Sequence, residues 1–190
     1  GTILKIFPNI INSICVDGSP ISSYVSFFIE KIFSAPNYSD KFNTLFQSID
    51  IHKFIQYLIK LSFDNNKTDK LNPFDAKCLM RIVACGKENI KDDILEIVQK
   101  CFKTLTDSYM LVISYPNYCH CLFEIIVAAV SKDKISVHEI ENYLFELLDK
   151  TKSNEMLEFM PYIYQVIACF ILYYPDDTLT KSDSKYVTNF

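Results

Sequence analysis

Glycine is nearly absent from this chain, with only Gly1, Gly18 and Gly86 among its 190 residues. Phosphate-cradling loops and tight β-hairpins need glycine for positive φ and close backbone approach. The sequence therefore has little material for a nucleotide-binding loop or a hairpin-rich β fold. Arginine occurs once, at Arg81, and the formal net charge is −4. The clustered basic footprint of a nucleic-acid binder is missing, so no nucleic-acid partner is expected. Tryptophan is absent, and no apolar run reaches the roughly 18–20 residues of a bilayer span. The longest run, Phe159 to Tyr174, is sixteen residues and is interrupted by Pro161 and Gln165. It reads as a core helix, and no membrane insertion is expected.

Seven cysteines are present: Cys15, Cys78, Cys85, Cys101, Cys119, Cys121 and Cys169. The count is odd, and most sit inside apolar helical patterns. They read as small buried hydrophobes in a reducing compartment, not as a disulfide framework. No signal peptide is read at the start of the sequence.

What is abundant is apolar residues, at 49% of the chain, spaced almost everywhere in steps of three and four. Ile90, Ile94, Ile97, Val98, Cys101, Phe102 and Leu105 form one stripe. Ile51, Phe54, Ile55, Leu58 and Leu61 form another, and Val137, Ile140, Leu144, Leu147 and Leu148 a third. No stretch alternates long enough for a convincing strand. The spacing predicts helices at 3–16, 20–35, 50–64, 73–85, 90–109, 116–131, 136–151 and 155–173, with a short one near 40–47. Pro20, Pro73 and Pro116 stand at helix starts, where a missing N–H costs nothing. Gly18 and Gly86 stand just past helix ends, where a left-handed residue caps the helix.

These helices fall into pairs whose first members begin near residues 3, 50, 90 and 136, a spacing of about 40–47 that matches the HEAT or armadillo period. Counting from Pro20, Pro73 and Pro116, the seventh residue on is Phe27, Met80 and Phe123, and the ninth is Ile29, Ile82 and Ile125. The expected fold is all-α, an α-α superhelix of about four HEAT-type antiparallel pairs at 3–35, 40–86, 88–132 and 135–174. Residues 175–190 read as a loop or the start of a next repeat, and the whole as an excerpt of a longer chain. Periodicity alone also admits a single eight-helix globule.

No catalytic, cofactor or metal site is read. P-loop, dinucleotide, HExxH and nucleophile-elbow motifs are all missing. Cys119-His120-Cys121 is a local cluster, but consecutive helical residues point about 100° apart and do not converge on a metal. His52 and His138 are scattered. Glu139, Glu141, Glu146 and Asp149, like the stretch Lys87 to Asp93, read as solvated faces. Tyr115, Tyr118, Tyr162, Tyr164, Tyr173 and Tyr174 read as core or inter-repeat packing. Partner-contact residues are not identified.

Three segments carry more than architecture: DAKCLMRIV (75–83), NYCHCLFEIIVAAV (117–130) and LEFMPYIYQVIACFI (157–171). In order and spacing they resemble the central HEAT repeats of the importin-α re-exporters, exportins of the karyopherin-β family. Lys77, Met80 and Arg81 in the first segment match that family. So do Asn117, Phe123 and Glu124 in the second, and Glu158, Phe159, Pro161, Tyr162, Gln165 and Val166 in the third. Leu4 to Phe46 aligns more loosely. The resemblance implies a non-enzymatic nuclear transport receptor that shuttles between nucleus and cytoplasm. It implies importin-α and Ran-GTP as partners of the parent protein, with nucleoporins a further class. A phosphatase- or coat-type HEAT scaffold with no transport role is the alternative, and an α-helical enzyme with an unseen site a third reading.

Overall fold

The structure is a computed structural model that describes residues 5–6, 8–11, 27–28, 30–31, 49–63, 73–85, 90–108, 114–131, 135–152 and 157–175. Among the described residues there are six long α-helices and no strand. They are α1 (Ile51–Phe63), α2 (Pro73–Cys85), α3 (Lys91–Asp107), α4 (Pro116–Ser131), α5 (Val137–Lys150) and α6 (Met160–Tyr173). A 3₁₀ turn, Leu157–Phe159, leads into α6. The architecture is an all-α helical repeat. The expected helices at 3–16 and 20–35 are described only in part, at helical residues such as Pro8–Ile11, Phe27 and Glu30. Those near 40–47, and the caps at Gly18 and Gly86, lie outside the described residues, as do Pro20 and residues 176–190.

The chain divides into two compact units, Gly1–Gly86 and Lys87–Phe190. In the first, α1 packs on α2. The start of α1 is fixed by Asp50, whose Oδ1 accepts a hydrogen bond from the Lys53 backbone N–H at 3.1 Å, satisfying one of the orphan donors of the first turn. Ile51, Phe54, Ile55, Leu58 and Ile59 are buried, and α2 answers with Ala76, Cys78, Leu79, Ile82 and Val83. Pro73 opens α2.

In the second unit the contacts form a two-layer ladder. Helix α3 packs on α4 and α5 on α6, while α3 also touches α5 and α4 touches α6. First helices thus lie on first helices and second on second, which is nearest-neighbour stacking of repeats. Each residue of the α3 stripe read from the sequence, Ile90 to Leu105, is buried. Helix α4 is covered from two sides and buries Tyr118, Cys119, Cys121, Leu122, Phe123, Ile125, Ile126, Ala129 and Val130.

Helix α5 begins with a capping box. The Ser136 Oγ accepts from the His138 N–H at 3.2 Å, and the Glu139 carboxylate accepts from the Ser136 N–H at 2.7 Å. At its other end the buried Thr151 hydroxyl lies 2.7 Å from the Leu148 carbonyl and 3.0 Å from that of Leu147. The Tyr174 hydroxyl, just past α6, lies 3.0 Å from the Ile135 carbonyl and 3.4 Å from that of Val130. That places the end of α6, the end of α4 and the start of α5 at one side of the unit, as antiparallel pairing within each repeat requires.

One expectation is corrected, and one repeat position departs from its counterpart. Phe27, which stands at the same repeat offset as Phe123, does not share its burial and is 41% exposed. It meets the Phe74 ring edge-on, with centroids 4.9 Å apart, and the Lys31 ammonium lies over its face. Its contact is with α2 at the margin of the unit, where one side of a large ring remains in solvent. Asp93, expected on a solvated face, is buried. It sits in the first turn of α3, where the helix dipole favours a carboxylate.

Candidate partner-binding surfaces

The residues with chemical potential are dispersed. Cys119 and Cys121 point into the core, whereas His120 is exposed. The His120 Nε2 lies 3.2 Å from a Glu124 oxygen, one turn on, and its ring meets Tyr162 edge-on. The three consecutive residues do not converge. Among the described residues no three His, Cys, Asp or Glu side chains are grouped to hold a metal ion. His138 pairs with Glu141 at 3.6 Å on the outer side of α5, and His52 is exposed.

The six described cysteines are free thiols. Cys78, Cys101, Cys119 and Cys121 are buried, while Cys85 and Cys169 are half-buried. Burial pushes the Cys78 thiol well up from its ordinary range, aided by the nearby Asp75 and Glu30 carboxylates. Burial does the same at Cys101, with Cys121 beside it, and pushes Cys119 up to about 12. A thiolate is the nucleophile, so these groups are inert packing, not reactive centres.

Among the described residues, unit 1 holds a buried ion-pair system around Glu30. Glu30 is buried, with one carboxylate oxygen 3.6 Å from Arg81 Nη2 and the other 3.4 Å from Lys31 Nζ. The single arginine of the chain thus joins α2 to the helical residues around Glu30. This contact through Nη2 gives the residue a structural use that its sequence position alone left undefined.

Among the described residues, unit 2 shows two exposed surfaces of note. The first is an open groove of about 320 Å³ between α3 and α5. The stacked pair Phe102 and Tyr143, centroids 6.1 Å apart, lines it. Its rim mixes Glu96, Asp107 and Glu146 with Lys100 and Lys103, and Glu146 already pairs with Lys150 at 3.4 Å. A rim of both signs suits a peptide more than a phosphate. Of the α5 carboxylates, Glu139, Glu146 and Asp149 are exposed and Glu141 half-buried.

The second surface is the outward side of α6, where Tyr164 and Leu172 project into solvent. The tyrosines accordingly split. Tyr118 is buried and Tyr162 packs on Phe123, but Tyr115, Tyr164 and Tyr173 are exposed. These three are therefore not part of the core, one of the two packing roles expected of the tyrosines. Helical spacing marks which residues share a stripe without saying which stripe faces the unit's own core. Among the described residues, no helix is long and apolar enough to cross a membrane.

Comparison with known proteins adds a family match. Residues 30–188 fit the model described as CAS/CSE protein, C-terminus. Exportin-2 of Bos taurus and Exportin-2 of Homo sapiens are each 23% identical to the chain over 186 residues, covering 92% of it and 18% of the relative. Exportin-2 of Pagrus major is 23% identical over 180 residues, covering 89% of the chain and 18% of the relative. The chain therefore spans 18% of the length of these curated relatives. No solved structure matches it significantly.

Proposed function

The chain belongs to the CAS/CSE protein family, and from that premise we propose that it is a segment of a nuclear export receptor. The observation that carries the proposal is the family match across residues 30–188, which takes in all three segments that resemble importin-α re-exporters. The relatives are named exportins, and the helix ladder is the scaffold such a role uses. In this reading the parent protein binds importin-α together with Ran-GTP in the nucleus and shuttles to the cytoplasm, with nucleoporins met in passage. GTP hydrolysis on Ran, not chemistry on this chain, then frees the cargo.

The physical mechanism follows from stacking. Repeats that touch only their neighbours form a spring whose curvature is set by many small interfaces. Two ligands that grip different turns share the free energy of fixing one curvature. That sharing is a reciprocal coupling, typically about 1–3 kcal/mol, or roughly 5–150-fold in affinity. The segment contributes stiffness whether or not it touches either ligand.

Titrating the parent protein with importin-α, in the presence and absence of Ran locked in its GTP form, tests the reading. Affinity that rises at least 5-fold with Ran-GTP is expected. Equal affinity in both titrations would overturn the export role and leave a HEAT scaffold without transport function.

A further inference from the structure

Tyr174 stands at the end of α6, and that helix sets its position, because its backbone N–H donates to the Phe170 carbonyl at 2.8 Å. Its side chain serves other helices. The hydroxyl donates to the Ile135 carbonyl at 3.0 Å and lies 3.4 Å from the Val130 carbonyl, 39 and 44 positions back along the chain. Neither acceptor is served by its own helix. Val130 is among the last four residues of α4, whose carbonyls have no intrahelical donor. Ile135 precedes the Ser136 cap of α5, so its carbonyl lies outside that helix's ladder. Both residues are buried, where leaving an acceptor without a donor carries the full desolvation penalty.

These two carbonyls flank the passage from one repeat to the next, since α4 ends the first pair of unit 2 and α5 begins the second. One hydroxyl from the end of the second pair thus grips both sides of that passage. Helix α6 is held on α4 at another place too. Phe159 and Tyr162, at its start, pack on Phe123. The two attachments differ in kind. Aromatic contacts are favourable over a broad range of offsets and tilts, whereas a hydrogen bond is directional and fails within a few tenths of an ångström. Twelve residues separate Tyr162 from Tyr174, about 18 Å of helix. On that lever, a shift of about 0.5 Å at the hydroxyl corresponds to about 2° of rocking about the aromatic contact.

We propose that Tyr174 is a positioning residue that pins the angle between the α3–α4 and α5–α6 repeats, with the aromatic contact at Phe123 as the pivot and the hydroxyl as the stop. The single phenolic proton goes to Ile135 at the observed angle and passes to Val130 when the end of α6 rocks towards that carbonyl. Beyond about 2° of rocking neither carbonyl is held. The pin restrains the joint without adding apolar contact, so its loss loosens the joint while the core stays packed. The pin stands without the export reading; what a looser joint does to ligand coupling rests on that reading.

Hydrogen exchange in the parent protein tests the pin. Tyr174→Phe keeps the ring and removes the hydroxyl. Amides in the last turns of α4 and α6, residues 126–131 and 170–174, should then exchange about fivefold faster or more, while those of residues 94–102 in α3 stay within about 1.5-fold. Ser131→Ala removes a hydroxyl 3.5 Å from the Ala128 carbonyl in the same last turn of α4. It should loosen α4 alone and leave residues 170–174 as they are in the native protein. Unchanged exchange at both helix ends in Tyr174→Phe would overturn the proposal, since the hydroxyl would then hold nothing. Equal acceleration in α3, α4 and α6 would overturn it as well, because the hydroxyl would then support the whole unit and not this joint.

Discussion

Tyr162 lies flat on Phe123, with ring centroids 4.7 Å apart and planes 9° from parallel. Phe159 meets the same phenylalanine edge-on at 5.5 Å. One side chain of α4 thus receives two aromatic rings from the α6 segment, and this is where one second helix locks to the next. Phe123 and Phe159 are fully buried. We predict that Phe123→Ala destabilises the chain by about 3–5 kcal/mol and Ile163→Ala by about 2–5 kcal/mol, through lost burial and the cavity left behind. A double-mutant cycle on Phe123 and Tyr162 should give a coupling of about 0.5–1.5 kcal/mol beyond area burial. Urea denaturation measures all three, and shifts under about 0.5 kcal/mol for the single variants would show the interface to be loose.

Much of this interface was legible in the sequence, because a buried stripe is a property of one helix. The α3 residues from Ile90 to Leu105 and the α5 residues Ile140, Leu144, Leu147 and Leu148 are all buried as their spacing requires. Contacts between distant positions were not legible. Nothing local links Glu30 to Arg81, and nothing in its own periodicity puts Phe27 at a margin while Phe123 is enclosed. Helix α6 was the hardest case. Its two apolar stripes look alike in sequence, and only packing distinguishes the one that faces α4 from the one that faces outward.

The Glu30–Arg81 pair carries the second prediction. Removing one partner of a buried pair leaves a poorly compensated charge, although Lys31 still faces the other Glu30 oxygen and Arg81 retains some solvent contact, which moderate the loss. Arg81→Met should cost about 1–3 kcal/mol. Adding Glu30→Gln should recover part of that loss, because the charge is removed along with its partner. An additive double variant, with no recovery, would show that the carboxylate gains nothing from the guanidinium.

The cysteines give a pH prediction. The Cys119 thiol has its folded-state value raised from 9.0 to about 12, and burial raises Cys78 and Cys101 in the same direction. A folded value above the unfolded one means that the unfolded chain loses its proton first as pH rises. The contribution of each thiol is therefore fully present below pH 9 and is lost progressively above it, up to about 12 for Cys119. The thiols should leave stability measured by denaturant flat through neutrality and lower it in the alkaline range, with a shallower fall for Cys119→Ala. In native labelling at neutral pH, the half-buried Cys85 and Cys169 should react before Cys78, Cys101 and Cys121. Early labelling of Cys101 would contradict the packing of α3 on α4.

The α5 capping box provides a local prediction. Ser136→Ala removes the acceptor for the His138 N–H and should cost about 1 kcal/mol. Ser136→Asp should retain most of the stability, since its carboxylate both accepts that bond and complements the helix dipole. Thermal melts of the two variants decide this, and equal losses would show that the cap is not engaged in solution.

The last prediction joins packing to the proposed transport role. If two ligands communicate through the curvature of stacked repeats, the coupling depends on the stiffness of the repeats between them. Phe123 is enclosed between α4 and α6 and is not available to a partner. Phe123→Ala in the parent protein should therefore leave the affinity for importin-α alone within about twofold, while the enhancement by Ran-GTP falls several-fold. A folded variant, checked by its unchanged helical spectrum, is required for the comparison. The more conservative Phe123→Leu should show a smaller loss in the same direction. Loss of binding to importin-α alone, in a folded variant, would point to direct contact at this interface. An unchanged enhancement would show that this part of the spring does not carry the coupling.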